Sequence, residues 1–182
     1  MGITALVTLP AGPATAVPSR PAAPHSTIAA ARPASPEAEF LIAVHQGNLA
    51  QIAAGRLAAR KSGDKAVRKL GKRFAAFHKK LDSQVKRVAK SLDVRLPQGP
   101  NSEQVELAGQ YVATPAALFD AFFVETQLSG YERASRLAGL FLKTSTDPSV
   151  RAIIEKAGPV IEENLAALTA ARNRLASEQP RQ

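Results

Sequence analysis

The sequence predicts an all-α protein: a four-helix bundle of two antiparallel helical hairpins joined by a long crossover, with a disordered N-terminal tail. Three observations predict it. From Pro36 onward, apolar residues return every three or four positions, the period of helices with one buried side. Short breaks separate the first long segment from the second and the third from the fourth, whereas a long proline- and glycine-bearing stretch separates the second from the third. Alanine and leucine carry most of the apolar content and aromatics make up only 5%, a composition that favours helices over strands.

The first helix is expected over Pro36–Lys61, with Ser35 as N-cap, Pro36 at the first helical position, and Glu37 and Glu39 in the first turn. Ser62-Gly63-Asp64 ends it. The second runs from Lys65 to Leu92 on the stripe Val67, Leu70, Phe74, Phe77, Leu81, Val85, Val88, Leu92, the seam of a bundle helix. The connector RLPQGPNSEQVELAGQYVATP holds a short helix from Ser102 to Gly109. A third long helix is expected from Pro115 to Lys143, capped by Thr114, and a fourth from Thr146 or Asp147 with Pro148 to Ala176, with Pro159 inside it. Two short links and one long one describe the pattern of ferritin-like bundles; a simple up-down bundle is the alternative.

The domain so defined is residues 36–176, flanked by a disordered leader, 1–35, and a short tail, 177–182. The leader is rich in Ala and Pro, and its prolines recur too often for a helix to persist. Within it ITALVTL is followed by Ala14-Thr15-Ala16, a small-x-small cleavage pattern ending at Ala16, but no basic segment precedes the apolar run. Two readings stand: the remnant of a signal peptide, or a native disordered leader. The apolar run is too short to span a bilayer.

Cysteine is absent, which excludes a disulfide framework, a thiolate metal site and a cysteine nucleophile. No phosphate-binding glycine loop, Gly-x-Ser-x-Gly elbow or His-Glu-x-x-His occurs. The net charge of +9 is concentrated on one segment: Arg56–Arg95 holds 14 Lys and Arg against 3 acids. Arg68, Lys69, Lys72, Arg73, Lys79, Lys80, Lys86, Arg87 and Lys90 occupy the outer sides of the second helix. They form either a solvated basic face or a contact surface for an anionic cell-wall polymer or membrane. With no aromatic residue interleaved on that side, sequence-specific nucleic-acid binding is not expected.

Helical periodicity also places polar residues on the inner side: His45, Asn48 and, at the margin, Gln51 on the first helix; His78 on the second; Asp120, Gln127 and Tyr131 on the third, alongside Ala134; Asn164 on the fourth. On the outer side of the third helix, Glu132 and Arg136 are spaced as an i,i+4 pair. Buried unpaired, the inward groups would each cost a few kcal/mol, so they are expected to meet one another, backbone groups or water. His45, His78 and Asp120 could form a two-histidine, one-carboxylate set for a single iron, manganese or zinc ion. The absence of any Glu-x-x-His argues against a dinuclear site, and a hydrogen-bonded core role for His78 is favoured, with no cofactor expected.

The segments GNLAQIAAGRLAARK, VRKLGKRFAAFHKKL, VRLP, FDAFFVETQLSGYERA and AGPVIEENLAAL, taken in order, resemble the ferritin-like family called domain of unknown function 4142, over about Glu39 to Leu175. The resemblance implies a mostly exported bacterial protein with no established activity, and it tips the leader toward a signal sequence. It also implies ligand positions that this chain departs from. Where the family has acids, this chain has Gln51 and Ala53; where it has Asp-His, this chain has Phe77-His78; where it has histidines, this chain has Tyr131 and Asn164. Asp120 and His78 match the pattern. The implied protein is non-enzymatic, with a structural or interaction role at the cell envelope and its metal site largely lost.

Overall fold

The computed structural model describes residues 35–178; the leader through position 34, with its Ala16 cleavage pattern, and positions 179–182 lie outside the described residues. Five helices follow in order: α1 (Pro36–Lys61), α2 (Lys65–Ser91), α3 (Ser102–Ala113), α4 (Ala116–Thr144) and α5 (Pro148–Glu178). The four long ones are those predicted, and α3 is the crossover helix.

Local chemistry sets most of the ends. The Ser35 hydroxyl accepts from the Ala38 amide at 3.2 Å, and Asp64 Oδ1 accepts from Val67 at 2.8 Å, so the residue that breaks α1 also caps α2. α2 closes with Asp93 at φ 54°, a left-handed residue that lets the Val94 amide reach the Ala89 carbonyl at 2.8 Å. Asn101 and Gln104 form a reciprocal capping box at the start of α3. Asp147 Oδ1 accepts from Ser149 and Val150 at 2.8 and 2.9 Å and starts α5.

Several boundaries differ from expectation. α3 continues through Gly109 to Ala113, because Tyr111 in its last turn is 2% exposed and anchored in the core. Thr114 does not cap α4; its hydroxyl donates back to the Gln110 carbonyl at 2.7 Å, and Pro115 occupies the cap position without a side-chain bond. α5 runs on to Glu178.

α1 packs on α2 and α4 on α5, each across its short link, while α2 also meets α5 and α1 meets α4, which closes a ring of four helices. Leu41, Phe74, Val85, Phe119, Phe123 and Leu168 are fully buried between them; each such side chain contributes roughly 1.5–3 kcal/mol relative to exposure. α1 and α2 touch backbone to backbone. A Cβ on Gly55 would lie 2.5 Å from the Gly71 carbonyl oxygen, and one on Gly71 would lie 2.6 Å from that of Gly55. α3 lies on α1, held where Lys61 Nζ donates to the carbonyls of Tyr111 and Val112 at 2.8 and 2.6 Å.

The second half of α4 departs from its expected pattern. Glu132–Leu137 are all exposed, Ala134 included, and the Glu132–Arg136 pair does not form; Arg133 instead lies 3.9 Å from Glu103 of α3. Leu92, expected in the α2 seam, lies past the last helical residue and is 37% exposed. No helix among the described residues is long and apolar enough to cross a membrane.

Candidate functional site

The four long helices each send one polar side chain to a common point in the core. Asn48 comes from α1, His78 from α2, Tyr131 from α4 and Asn164 from α5, and all are buried. His78 Nδ1 lies 2.8 Å from Asn48 Oδ1 and Nε2 lies 2.9 Å from the Tyr131 hydroxyl, which is 3.0 Å from Asn164 Nδ2. The donors sort themselves. Asn48 Oδ1 can only accept, so His78 Nδ1 carries the proton and donates. Nε2 of the neutral ring then accepts from Tyr131, whose oxygen in turn accepts from Asn164. The bonds therefore run in one direction: Asn164 to Tyr131, Tyr131 to His78, His78 to Asn48.

Burial holds this chain neutral. It lowers the His78 pKa to about 4 and pushes the Tyr131 phenol well above its ordinary range. Phe74 packs on Tyr131 with ring centroids 5.2 Å apart, and Phe77 meets His78 edge-on at 5.0 Å. Asn48 Nδ2 and Asn164 Oδ1 are buried with no hydrogen-bond partner in the protein.

The other candidates lie elsewhere. His45 forms a second cluster, with Nδ1 2.6 Å from Asp82 Oδ1 and Nε2 3.0 Å from the Pro97 carbonyl. Both ring nitrogens face oxygen acceptors, one a carboxylate and one a backbone carbonyl. Lys86 Nζ binds the other Asp82 oxygen at 2.8 Å. Gln127 belongs to a third group, donating to the Tyr111 hydroxyl at 3.1 Å, which is itself 2.6 Å from Thr126 Oγ1. Asp120 reaches the α1–α2 turn, where Oδ2 accepts from the Asp64 amide at 3.0 Å. Gln51 is half-buried with an unpartnered Oε1, and Ala53 is exposed.

His45, His78 and Asp120 are thus at three separate places, and no three His, Asp or Glu residues gather in a metal-binding arrangement among the described residues. The donor set at His78 does not suit a dication either. It consists of a neutral imidazole, a phenol that burial keeps protonated, and two amides, and the one imidazole lone pair is taken by Tyr131. An ion there would sit among neutral groups without a compensating charge.

Sequence reasoning missed Asp82 and Tyr111. Asp82 was legible through the hairpin: Gly63 lies fifteen residues from both Asn48 and His78, and eight from both Gly55 and Gly71. The same antiparallel register, shifted by one residue, brings Asp82 to His45. Tyr111 had no comparable signal, because nothing local shows that the crossover helix turns a side chain into the core.

Of the basic residues predicted for the outer sides of α2, Lys69, Lys72, Lys79, Lys80, Lys86, Arg87 and Lys90 are exposed, as is Lys65 at its start. Arg68 instead donates to the Ser62 and Gly63 carbonyls at 2.9 and 2.7 Å, and Arg73 pairs with Glu163 of α5 at 2.7 Å.

A family model described as Domain of unknown function (DUF4142) matches residues 22–171. No curated protein and no solved structure matches the chain.

Proposed function

We propose a function from one premise: the chain belongs to the DUF4142 family. It is a non-enzymatic, exported helical bundle with a structural or interaction role at the cell envelope, descended from a ferritin-like arrangement whose ligands have been replaced by hydrogen-bonding groups. One observation carries this reading. The directed chain Asn164–Tyr131–His78–Asn48 takes one residue from each long helix and uses both His78 nitrogens within the protein. A buried network directed in this way ties the helices into one arrangement and leaves the imidazole no free lone pair for chemistry. Two open surface grooves, one near Lys90 and Arg95 and one near Glu37 and Asp147, are lined by other residues.

The test is elemental analysis of untagged protein after dialysis, for the native chain and His78→Ala. Substoichiometric metal in both is the expected result. A stoichiometric ion that disappears in the His78→Ala protein would overturn the non-metal reading. Export is tested separately by fractionating the producing cell: recovery in the envelope or medium supports it, and retention in the cytoplasm sinks it.

A further inference from the structure

We infer that the outward face of α2 binds a linear phosphodiester polymer that lacks aromatic bases, of the poly(glycerol phosphate) type. This names a partner for the interaction role proposed above and so rests on that reading. Lys65, Lys69, Lys72, Lys79, Lys80, Lys86, Arg87 and Lys90 are all exposed. At 100° per residue they fall within about 60° either side of one direction, and at 1.5 Å rise the stripe is about 38 Å long. Of the eight, only Lys86 forms an ion pair among the described residues, and its partner Asp82 is the one acid within α2 and is buried. The protein therefore neutralises almost none of this charge itself. The stripe runs into an open groove at the C-terminal end of α2, lined by Lys86, Lys90 and Arg95 together with Asp93.

What the face lacks decides the class of polymer. Its aromatic residues, Phe74 and Phe77, are buried and half-buried, so the face offers no platform on which bases could stack, the contact that favours single-stranded nucleic acid over other phosphate polymers. No large exposed apolar side chain lies within α2, so nothing is available to enter a bilayer. Seven of the eight cations are lysines, point charges that pair with phosphates without demanding a planar fork. A narrow row of such charges along a rod suits a flexible chain of phosphates laid lengthwise.

The experiment is titration of the full chain with fluorescently labelled poly(glycerol phosphate) across a salt series, with oligothymidylate, polyglutamate and anionic phospholipid vesicles as parallel probes. If all eight cations engage, the plot of log K against log salt should fall with a slope of about −5 to −6, taking the single-strand coefficient. The quadruple variant Lys69, Lys72, Lys79, Lys80→Gln alters only exposed groups; it should keep its melting profile and reduce the magnitude of that slope by about 3. Arg133→Gln/Arg136→Gln on α4, the control for general charge loss, should leave the slope unchanged. The proposal is overturned if poly(glycerol phosphate) does not bind, if oligothymidylate, polyglutamate or vesicles bind more tightly, or if the α4 control weakens binding as much as the α2 variant. Polymer binding by a protein found in the cytoplasm would sink the envelope role while leaving this surface intact; an exported protein that ignores the polymer would do the reverse.

Discussion

His78 and Tyr131, from helices on opposite sides of the crossover, share a hydrogen bond of 2.9 Å in which the phenol donates to Nε2 of a neutral ring. That contact joins the α1–α2 hairpin to the α4–α5 hairpin through polar groups, and Asn48 and Asn164 extend it to the remaining two helices. Removing the hydroxyl should therefore be felt across the whole bundle. Tyr131→Phe keeps the ring but leaves His78 Nε2 and Asn164 Nδ2 buried without partners. The expected loss is about 2–3 kcal/mol of unfolding free energy, read from denaturant midpoints at constant slope. A change within the error of the midpoint would mean that the network contributes nothing net.

Acid should act through His78. Its pKa is about 4 in the folded protein, against 6.5 for the unperturbed group. The unfolded chain thus binds the proton first, so this contribution is complete above pH 6.5 and is lost as pH falls from 6.5 toward 4. The full difference is about 3 kcal/mol. Equilibrium unfolding at several pH values in this window, compared with His78→Gln, should show a shallower acid loss in the variant. Parallel curves would contradict the assignment.

The Gly55–Gly71 crossing should reject a single methyl group. A Cβ on Gly55 meets the Gly71 carbonyl oxygen at 2.5 Å and the Ala75 amide nitrogen at 2.9 Å, both backbone atoms that move only if the helices separate. Gly55→Ala should destabilise by about 2 kcal/mol in spite of its better helix propensity. Gly139→Ala, on the exposed part of α4 where a Cβ meets nothing within 4 Å, should raise stability by about 0.5–1 kcal/mol. Thermal melts of the two variants should move in opposite directions.

Asp82 holds the connector as well as the helices. It faces His45 at 2.6 Å with side chains 6% and 4% exposed, and His45 in turn binds the Pro97 carbonyl. Asp82→Ala removes the partner of His45 Nδ1 in a buried site, at a cost of about 1–3 kcal/mol. The Val94 amide, bonded to the Ala89 carbonyl at 2.8 Å where the connector begins, should then exchange with solvent faster than in the native chain, while amides near Gly55 should follow only the global change. Unaltered exchange along the connector would detach Asp82 from that role.

The sequence by itself determined the helices and which side of each is buried, because the forces that set them act over three or four residues. Ser35 and Asp64 cap the amides just ahead of them, and the Val67–Val85 stripe follows from a fixed angle per residue. Two places where local reasoning failed, the Thr114 cap and the inward Ala134, are ones where a neighbouring element competed or was missing. Thr114 closes α3 instead, and the second half of α4 extends past what its neighbours cover.

Even part of the polar site was written in the chain, since a three-residue link folds α2 back along α1 and so matches Asn48 to His78 and Gly55 to Gly71 by their distance from Gly63. Only the tertiary structure decided that His78 meets Tyr131, that His45 belongs with Asp82 and Pro97, and that Asp120 serves the hairpin turn. The height of one hairpin against the other is set by how their apolar surfaces interlock and by where the crossover docks. No short-range rule spans the long connection from α2 to α4, so the residues that meet across it are chosen by packing.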